Sequence, residues 1–243
     1  MIDLHSHILP GLDDGAKSLE ESLAMARMAV DSGVTAMAAT PHCADDRTRE
    51  VYASLQLLKE ALEESEIPLK LFLGMEIFGT SATARLLREN KLFTLNGSRY
   101  PLIEFDFHSD GIEQTRILES VCRAGYRPVI AHPERYSYVL QDPCLVDRWY
   151  RMGCLIQVNR GSLMGRFGQR TQSLAYALVD RGFAAAVSSD AHSPRIRTTW
   201  MADVNKLLSA EFSPRCARML LQENPEKILK NEMILPGQPE WFE

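Results

Sequence analysis

The sequence predicts an α/β fold in which seven parallel strands alternate with helices and close into a TIM-like barrel. Short apolar runs of strand type recur along the chain, and periodic segments of helix type lie between them. No linker rich in Pro, Gly or Ser separates two halves, so residues 1–243 are expected to form one domain. Seven such units fit a closed barrel better than an open sheet.

The predicted strands are short and are bounded by polar or turn residues. They span residues 2–5, 34–40, 69–77, 101–105, 128–131, 154–159 and 184–189. Ser18 and Glu21 form a capping box that predicts the start of the first helix, and Gly33 is a plausible glycine just after its end. One face of this helix carries the apolar residues Leu19, Leu23, Ala26 and Val30.

Later helices are predicted from the same periodicity. They span residues 49–65, 82–90, 112–124, 145–152, 172–182 and 199–209. Terminal helices are expected over 213–230, with Pro225 near a helix start, and the last residues are expected to form an arm or a loose end.

Charge and hydropathy exclude several classes of protein. Lys and Arg number 27 against 32 Asp and Glu, which gives a net charge of −5, and no basic run of the kind that binds nucleic acid is present. The longest apolar stretches are far shorter than the roughly 20 residues that cross a bilayer. Met1 leads directly into a predicted strand, which leaves no room for a signal peptide. We therefore expect a cytoplasmic protein without membrane insertion.

Cys154 and Arg160 have the Cys-x5-Arg spacing of cysteine-dependent tyrosine phosphatases. The intervening residues 155–159 contain no glycine and are typical of a buried strand, whereas a phosphate-binding loop needs glycine and free backbone N–H groups. The five cysteines are odd in number and show no CxxC spacing, so reduced thiols are expected. A cysteine nucleophile is therefore disfavoured.

Histidines and acids follow the predicted strands. Five of the six histidines lie at or just beyond strand ends: His5, His7, His42, His132 and His192. The acids in comparable positions are Glu76, Glu104, Asp190 and Asp14, with Asp13 as the adjacent alternative to Asp14. In parallel β/α barrels, the carboxyl ends of the strands hold the active site. Each histidine alone could be a hydrogen-bonded core residue, and Glu104 could pair with a buried Arg, but the set favours metal binding.

Strand order sorts these nine side chains into three groups. Glu76, Glu104 and His132 follow neighbouring strands and should share one ion. Asp14, His42 and His192 should surround a second ion, while His5, His7 and Asp190 reach a third that Glu76 bridges to the first group. Imidazole and carboxylate ligands suit Mn²⁺, Fe²⁺ or Zn²⁺. Because closely spaced ions can clamp the attacking and leaving oxygens at phosphorus, phosphoester hydrolysis is expected.

Several sequence segments resemble the polymerase and histidinol phosphatase (PHP) superfamily. They are residues 1–15, Ala-Thr-Pro-His at 39–42, Gly-Met-Glu at 74–76, Ala-His-Pro-Glu-Arg at 131–135 and Ser-Asp-Ala-His at 189–192. Within it, the chain is similar to bacterial metal-dependent protein tyrosine phosphatases that act on capsular and exopolysaccharide tyrosine kinases. The resemblance implies a distorted seven-stranded barrel, three metal ions that are usually Mn²⁺, and a tyrosine-phosphorylated cytoplasmic protein as substrate.

The resemblance also implies phosphate-binding roles for Arg135 and Arg197, and Arg195 could take the second role instead. The departing phenolate needs little acid catalysis because its pKa is near 10, so either Asp14 or a metal-bound water is expected to suffice. His108 is expected on the surface. The alternatives to a tyrosine phosphatase are a small-molecule phosphatase of the histidinol-phosphate type and an inactive PHP binding module. The sequence indicates no oligomeric state.

Overall fold

The computed structural model describes residues 1–234, and the strands of these residues pair in parallel within two sheets. The strands are β1 (Ile2–Asp3), β2 (Ala36–Ala39), β3 (His42–Cys43), β4 (Lys70–Leu73), β5 (Glu76–Phe78), β6 (Leu102–Glu104), β7 (Val129–Ala131), β8 (Leu155–Asn159) and β9 (Ala184–Ser188). One sheet has the order β1-β2-β4, and the other has the order β3-β5-β6-β7-β8-β9. The predicted α/β class with parallel strands is confirmed.

The described residues contain nine strands, not the predicted seven, because the second and third β segments are interrupted. After β2 the chain leaves the sheet at Thr40 and Pro41 and enters the other sheet as β3. Pro41 has no N–H to donate to a ladder. The break between β4 and β5 falls at Gly74, where an added Cβ would lie 2.9 Å from Thr40 Cγ2. The two breaks therefore lie side by side and divide the strands between two sheets.

The first and last strands approach each other beyond their carboxyl ends. Ser6 and Ala191 form an isolated parallel bridge, in which the N–H of His7 donates to Ala191 O at 2.8 Å. The N–H of Asp190 likewise donates to His5 O at 2.9 Å. These bonds fix the segment after β1 against the segment after β9. They therefore place His5 and His7 beside the carboxylate of Asp190.

Helices connect the strands. They are α1 (Leu19–Asp31), α2 (Thr48–Glu64), α3 (Thr83–Arg88), α4 (Ile112–Arg123), α5 (Ser137–Gln141), α6 (Cys144–Arg151), α7 (Arg160–Leu163), α8 (Gln169–Asp180), α9 (Ala202–Glu211), α10 (Pro214–Arg218) and α11 (Asn224–Leu229). Short 3₁₀ helices occur at Leu95–Gly97 and Pro133–Arg135, and a π-helical turn at Met219–Glu223 joins α10 to α11. Each predicted helix has a counterpart, although α9 begins three residues later than predicted.

The first helix begins as the capping box predicts. Ser18 Oγ accepts from the N–H of Glu21 at 3.4 Å, and Glu21 Oε2 accepts from the N–H of Lys17 at 2.9 Å. Gly33 follows the end of α1 with φ of 90°. The fully buried positions of α1 are Ser22, Met25, Ala26 and Ala29. The predicted face is therefore displaced: Leu19, Leu23 and Val30 are only partly buried along the edges of this stripe.

Apolar side chains on the two faces of the strands form two separate clusters. Outward residues such as Ile103 and Ile156 pack in the larger cluster with residues from the helices. Residues that alternate with them, including Ala38, Leu102 and Leu155, form a smaller cluster with Ile228 and other residues near the C-terminal helix. Burial on both faces explains why the strands are almost wholly apolar.

The C-terminal helices predicted over 213–230 are confirmed by α10, the π-helical turn and α11, and Pro225 lies in the first turn of α11. The expected terminal arm lies outside the described residues from position 235 onward. No helix within residues 1–234 has the length and apolar character needed to cross a membrane.

Candidate metal centre

Histidines and carboxylates converge at the carboxyl ends of the strands. The segment after β1 supplies His5 and His7, whose Nε2 atoms are 3.2 Å apart. His5 Nε2 lies 3.1 Å from Glu76 Oε1, and His7 Nε2 lies 3.2 Å from Glu76 Oε2. Asp190 Oδ1 is 3.5 Å from His5 Nε2 and 3.6 Å from His7 Nε2. All four side chains are almost wholly buried.

Glu76 lies at the centre of the cluster because it begins β5, between β3 and β6. Its Oε1 is 3.1 Å from His132 Nε2, and its Oε2 is 2.9 Å from His42 Nδ1. Glu104, at the end of β6, is 3.4 Å from His132 Nε2 and 3.6 Å from His42 Nδ1. Glu76 therefore contacts four histidines from three different segments of the chain.

Asp14, His42 and His192 lie on the open side of the cluster. Asp14 Oδ1 is 3.5 Å from His42 Nε2 and 3.4 Å from His192 Nε2. The Asp14 side chain is 63% exposed, whereas the other carboxylates of the set are largely buried. Solvent therefore reaches the cluster from this side.

The structure brings all nine predicted residues together, but the groups that they form differ in one place from the predicted groups. Four groups have donor atoms within 4.8 Å of one another: His7, Asp14, His42 and His192; His5, His7 and Asp190; His5, Glu76 and His132; and His42, Glu76 and Glu104. Two groups contain the predicted sets around Asp14 and Asp190. The predicted set of Glu76, Glu104 and His132 is divided between the other two groups. Glu76 and His132 lie in one with His5, a member of the set to which Glu76 is the expected bridge, and Glu76 and Glu104 lie in the other with His42, which was expected beside a different ion.

Crowding of like charges changes the acidity of several groups. Burial, followed by repulsion from Glu76, raises the pKa of Glu104 to about 7. Burial lowers the pKa of His132 to about 4 and that of His192 to about 3. These two imidazoles therefore stay neutral. Burial also disfavours the charged forms of His5, His7 and His42, but adjacent carboxylates such as Glu76 raise the pKa of all three. A divalent cation placed among these groups would offset the repulsion between the carboxylates.

The donor atoms fit a metal ion. Glu76 Oε2, Asp190 Oδ1 and His192 Nε2 are buried and make no hydrogen bond among the described residues, despite their close imidazole or carboxylate neighbours. An unpaired buried polar atom is costly. Each of these residues belongs to a group that could hold an ion. Neutral imidazole and carboxylate are the ligands that Mn²⁺, Fe²⁺ and Zn²⁺ share.

The sequence reasoning missed a layer of residues that orient the histidines. Asp13 Oδ2 accepts from His7 Nδ1 at 2.7 Å, and it also accepts from the N–H of His42 at 2.9 Å. Gln157 Oε1 is 2.9 Å from His5 Nδ1, and Asn159 Nδ2 donates to Asp190 Oδ2. Such partners fix the orientation of metal-binding side chains.

A sequence signal for this layer was present. Gln157 and Asn159 are polar residues at alternate positions of the otherwise apolar strand β8, so they share one face of the strand. Asp13 is adjacent to Asp14, and the hydrogen bonds of Asp13 show that the two carboxylates have different partners. Gly15 completes this loop: an added Cβ would lie 2.2 Å from His7 O, which leaves room only for glycine.

Two arginines contact Asp190 beside the cluster. Arg135 Nη1 lies 3.0 Å from Asp190 Oδ2, and Arg197 Nη2 also contacts that oxygen. The N–H of His192 donates to Arg197 O at 2.8 Å and closes the loop that carries Arg197. Arg195 is exposed within this loop. The geometry therefore favours Arg197 over Arg195 as the second arginine.

Three residues of the site have a strained backbone. His132, Asp190 and Arg197 have φ values of 34°, 52° and 53°, in the left-handed region that residues other than glycine seldom adopt. Strained conformations of this kind cluster at functional sites, where the surrounding fold over-determines them.

The other residues considered from the sequence lie outside the cluster. His108 is exposed, as predicted. Tyr136 is buried in the core, where its hydroxyl donates to Ala131 O at 2.7 Å, and Tyr138 is also buried. These two tyrosines are core residues.

Cys154 and Arg160 are separated by the full length of β8, so no loop joins them around an anion. The neighbouring Cys122 thiol and burial raise the pKa of the Cys154 thiol well above its usual range. Arg160 instead pairs with Asp203, with Nε and Oδ1 2.8 Å apart. The strand predicted at this motif is confirmed, and the geometry of a cysteine phosphatase is absent from it.

We expect Cys154→Ser to retain most phosphatase activity, because a reactive cysteine must ionise and Cys154 is held as a buried thiol. Initial rates with a phosphotyrosine peptide would measure this, with the exposed Cys144→Ser as a matched control. Near-complete loss of turnover with unchanged circular dichroism and metal content would contradict the expectation and restore Cys154 as a nucleophile.

Known proteins with similar sequences are named tyrosine-protein phosphatases. Tyrosine-protein phosphatase YwqE of Bacillus subtilis is 34% identical over 98% of this chain and 96% of its own length. Tyrosine-protein phosphatase CpsB of Streptococcus agalactiae is 30% identical over 96% of this chain and all of its own length.

Solved structures give a consistent comparison. A crystal structure reported for YwqE from Bacillus subtilis and CpsB from Streptococcus pneumoniae, described as metal-dependent tyrosine phosphatases, superposes with a TM-score of 0.94. It is 33% identical and covers both chains completely. Dihydropyrimidinase from Brevibacillus agri shares the fold alone, with a TM-score of 0.59 at 9% identity over 98% of this chain and 73% of its own. The family described as capsular polysaccharide synthesis, CpsB/CapC, matches residues 1–230, and this chain belongs to that family.

Proposed function

We propose that this protein is a metal-dependent phosphatase that hydrolyses phosphotyrosine in proteins. The observation that carries the proposal is the convergence of nine imidazole and carboxylate side chains beside Arg135 and Arg197. The names of the relatives, which are tyrosine-protein phosphatases, support the same activity. The match to the metal-dependent tyrosine phosphatase structure over the whole chain supports the metal requirement.

The proposed centre holds three divalent ions, with Mn²⁺ as the proposed metal and Fe²⁺ or Zn²⁺ as alternatives. The ligands would be His5, His7, Asp14, His42, Glu76, Glu104, His132, Asp190 and His192. The four groups overlap, because Glu76, His5, His7 and His42 each belong to two of them. This overlap supports several adjacent ions instead of one. Such ions supply Lewis acidity, neutralise phosphoryl charge and lower the pKa of water.

The chain's own residues bind and orient the phosphoryl group in this mechanism. Arg135 and Arg197 reach Asp190 from the edge of the cluster, so their planar guanidinium groups can donate to phosphoryl oxygens there. Asp14 is the exposed carboxyl on the open side and can hold a proton near the departing oxygen. A phenolate needs little such help, because its pKa is near 10.

Asp13, Gln157 and Asn159 orient His7, His5 and Asp190 through the hydrogen bonds described above. These positioning bonds keep the donor atoms directed inward before substrate arrives.

The proposal is tested by measuring turnover of three substrates by the Mn²⁺-loaded protein. They are a phosphotyrosine peptide, the same peptide with phosphoserine, and histidinol phosphate. A clear preference for phosphotyrosine supports the proposal. Faster turnover of histidinol phosphate would favour the small-molecule phosphatase, and no turnover by fully loaded protein would favour an inactive binding module.

We further propose that the substrate is a tyrosine-phosphorylated protein of the cytoplasm, such as a bacterial tyrosine kinase that controls capsular or exopolysaccharide synthesis. The description of the family and the names of its members support this role. We also propose that the chain forms one domain and that its two sheets are parts of one distorted barrel. The Ser6–Ala191 bridge and the inner cluster around Leu102 support this closure.

Arginine substitutions test the binding of the phosphoryl group. Replacing Arg135 or Arg197 by Ala should lower kcat/KM for the phosphotyrosine peptide by about ten- to a hundredfold, because each charge-assisted hydrogen bond is worth on the order of 1.5–3 kcal/mol. Metal content should not change. Arg195→Ala is the matched control and should behave like the unmodified protein. A defect in Arg195→Ala together with normal kinetics for Arg197→Ala would assign the role of the second phosphate-binding arginine to Arg195.

A further inference from the structure

The guanidinium group of Arg135 lies between two phenylalanine rings. Its Cζ atom is 4.9 Å from the ring centroid of Phe107 and 4.3 Å from that of Phe167. Both distances are within the range of cation–π attraction, which strengthens when the cation is partly desolvated. The Arg135 side chain is 17% exposed, so most of the group is shielded from water.

The first ring is held by the segment that follows β6. The Phe107 carbonyl accepts from the N–H of Ser137 at 2.8 Å and from Ser137 Oγ at 2.7 Å. The Phe107 ring stacks on the His132 ring, with centroids 5.7 Å apart and planes at 16°. Phe107 therefore connects the arginine to a histidine of the cluster.

The second ring is held by the turn between α7 and α8. It packs closely on Gly161, where an added Cβ would lie 2.7 Å from Phe167 Cε2. The N–H of Gly161 donates to Asn159 Oδ1 at 2.8 Å, and Asn159 also contacts Asp190. Two segments that are distant in sequence thus supply the two rings.

We propose that Phe107 and Phe167 are positioning residues that hold the Arg135 guanidinium toward the phosphoryl group. This inference rests on the proposed function and adds two residues to it. Arg135 ends a short 3₁₀ helix that follows the strained residue His132, and its ion pair with Asp190 involves a single guanidinium nitrogen. One such contact leaves the guanidinium plane free to rotate. Rings on both sides restrict that rotation, so less conformational entropy is lost when phosphate binds.

Phe167→Leu is the principal test, because Leu removes the π face of the ring and keeps an apolar side chain. We expect kcat/KM for the phosphotyrosine peptide to fall about threefold to tenfold, with unchanged metal content. Phe167→Tyr should restore most of the rate. Phe107→Leu should have a similar effect, provided that its metal content is also unchanged.

The loss must also depend on Arg135. In the Arg135→Ala protein, adding Phe167→Leu should cause no further decrease, because the ring acts only through the arginine. A decrease that adds in full to that of Arg135→Ala would contradict the proposal, as would normal kinetics for Phe167→Leu.

A control variant separates this effect from a general loss of stability. Phe72→Leu removes a ring 4.8 Å from Lys70 Nζ, a cation–π pair outside the cluster, and should leave kinetics unchanged. An equal defect in Phe72→Leu would overturn the proposed specificity for Arg135.

A calorimetric measurement of the binding of inorganic phosphate to the Mn²⁺-loaded protein tests the inference independently of the proposed function. We expect Phe167→Leu to raise the Kd for phosphate about threefold to tenfold. If the unmodified protein hydrolyses no phosphotyrosine, the proposed function fails, but this measurement still decides the role of Phe167. An unchanged Kd would overturn that role.

Discussion

Removal of divalent ions with EDTA should abolish hydrolysis of a phosphotyrosine peptide, and added Mn²⁺ should restore it. The expected effect is complete, because the nine convergent side chains have the chemistry of metal ligands and Cys154 is a buried thiol away from them. Added Mn²⁺ should also raise the melting temperature of the stripped protein, since an ion that binds only the folded state stabilises that state.

Elemental analysis of the same samples is needed to interpret the result. For the Mn²⁺-loaded protein, EDTA already saturated with Mn²⁺ provides the control, because the chelator is present but has no free capacity to remove the ion. Undiminished turnover by a preparation with less than about a tenth of an ion per chain would rule out the metal mechanism.

Glu76→Gln should reduce both the metal content and the activity more than any other single conservative change in the cluster. The Glu76 carboxylate lies within 3.2 Å of nitrogen atoms from His5, His7, His42 and His132. A neutral amide has one oxygen acceptor and an NH₂ group that repels a cation. We therefore expect the loss of more than one ion per chain and turnover close to background.

Glu104→Gln is the matched comparison, because Glu104 lies in only one of the four groups of donor atoms. It should lose at most one ion. Elemental analysis and peptide turnover, measured on both variants after identical loading with Mn²⁺, decide the matter. If Glu76→Gln retains as much metal as Glu104→Gln, then Glu76 does not bridge the groups.

Local sequence patterns predicted most of the secondary structure. The capping box at Ser18 and the glycine at position 33 define both ends of α1, since their hydrogen bonds form within a few residues. The breaks at Pro41 and Gly74 were missed. A break between sheets depends on which strand lies alongside, and Gly74 is paired with Thr40, 34 residues earlier in the chain.

The composition of the candidate site was also predictable from strand ends. Polar residues such as His132 and Glu104 interrupt or follow apolar runs, and burial of these groups is costly without a partner. The gathering of these side chains at one site, with Glu76 as a bridge, therefore follows from the order of the strands. The contact of Glu76 with His42 was not predicted, because it depends on the lateral pairing of β5 with β3.

The sequence by itself determined the α/β class, the two ends of α1, and the set of histidines and carboxylates near the strand ends. Their physical basis is local: side-chain periodicity, capping and the cost of burying a lone charge. Only the tertiary structure decided that Arg197 and not Arg195 contacts Asp190, that Gln157 orients His5, and that two phenylalanine rings enclose Arg135. These contacts join residues 7 to 152 positions apart, and no local pattern specifies which distant side chains meet.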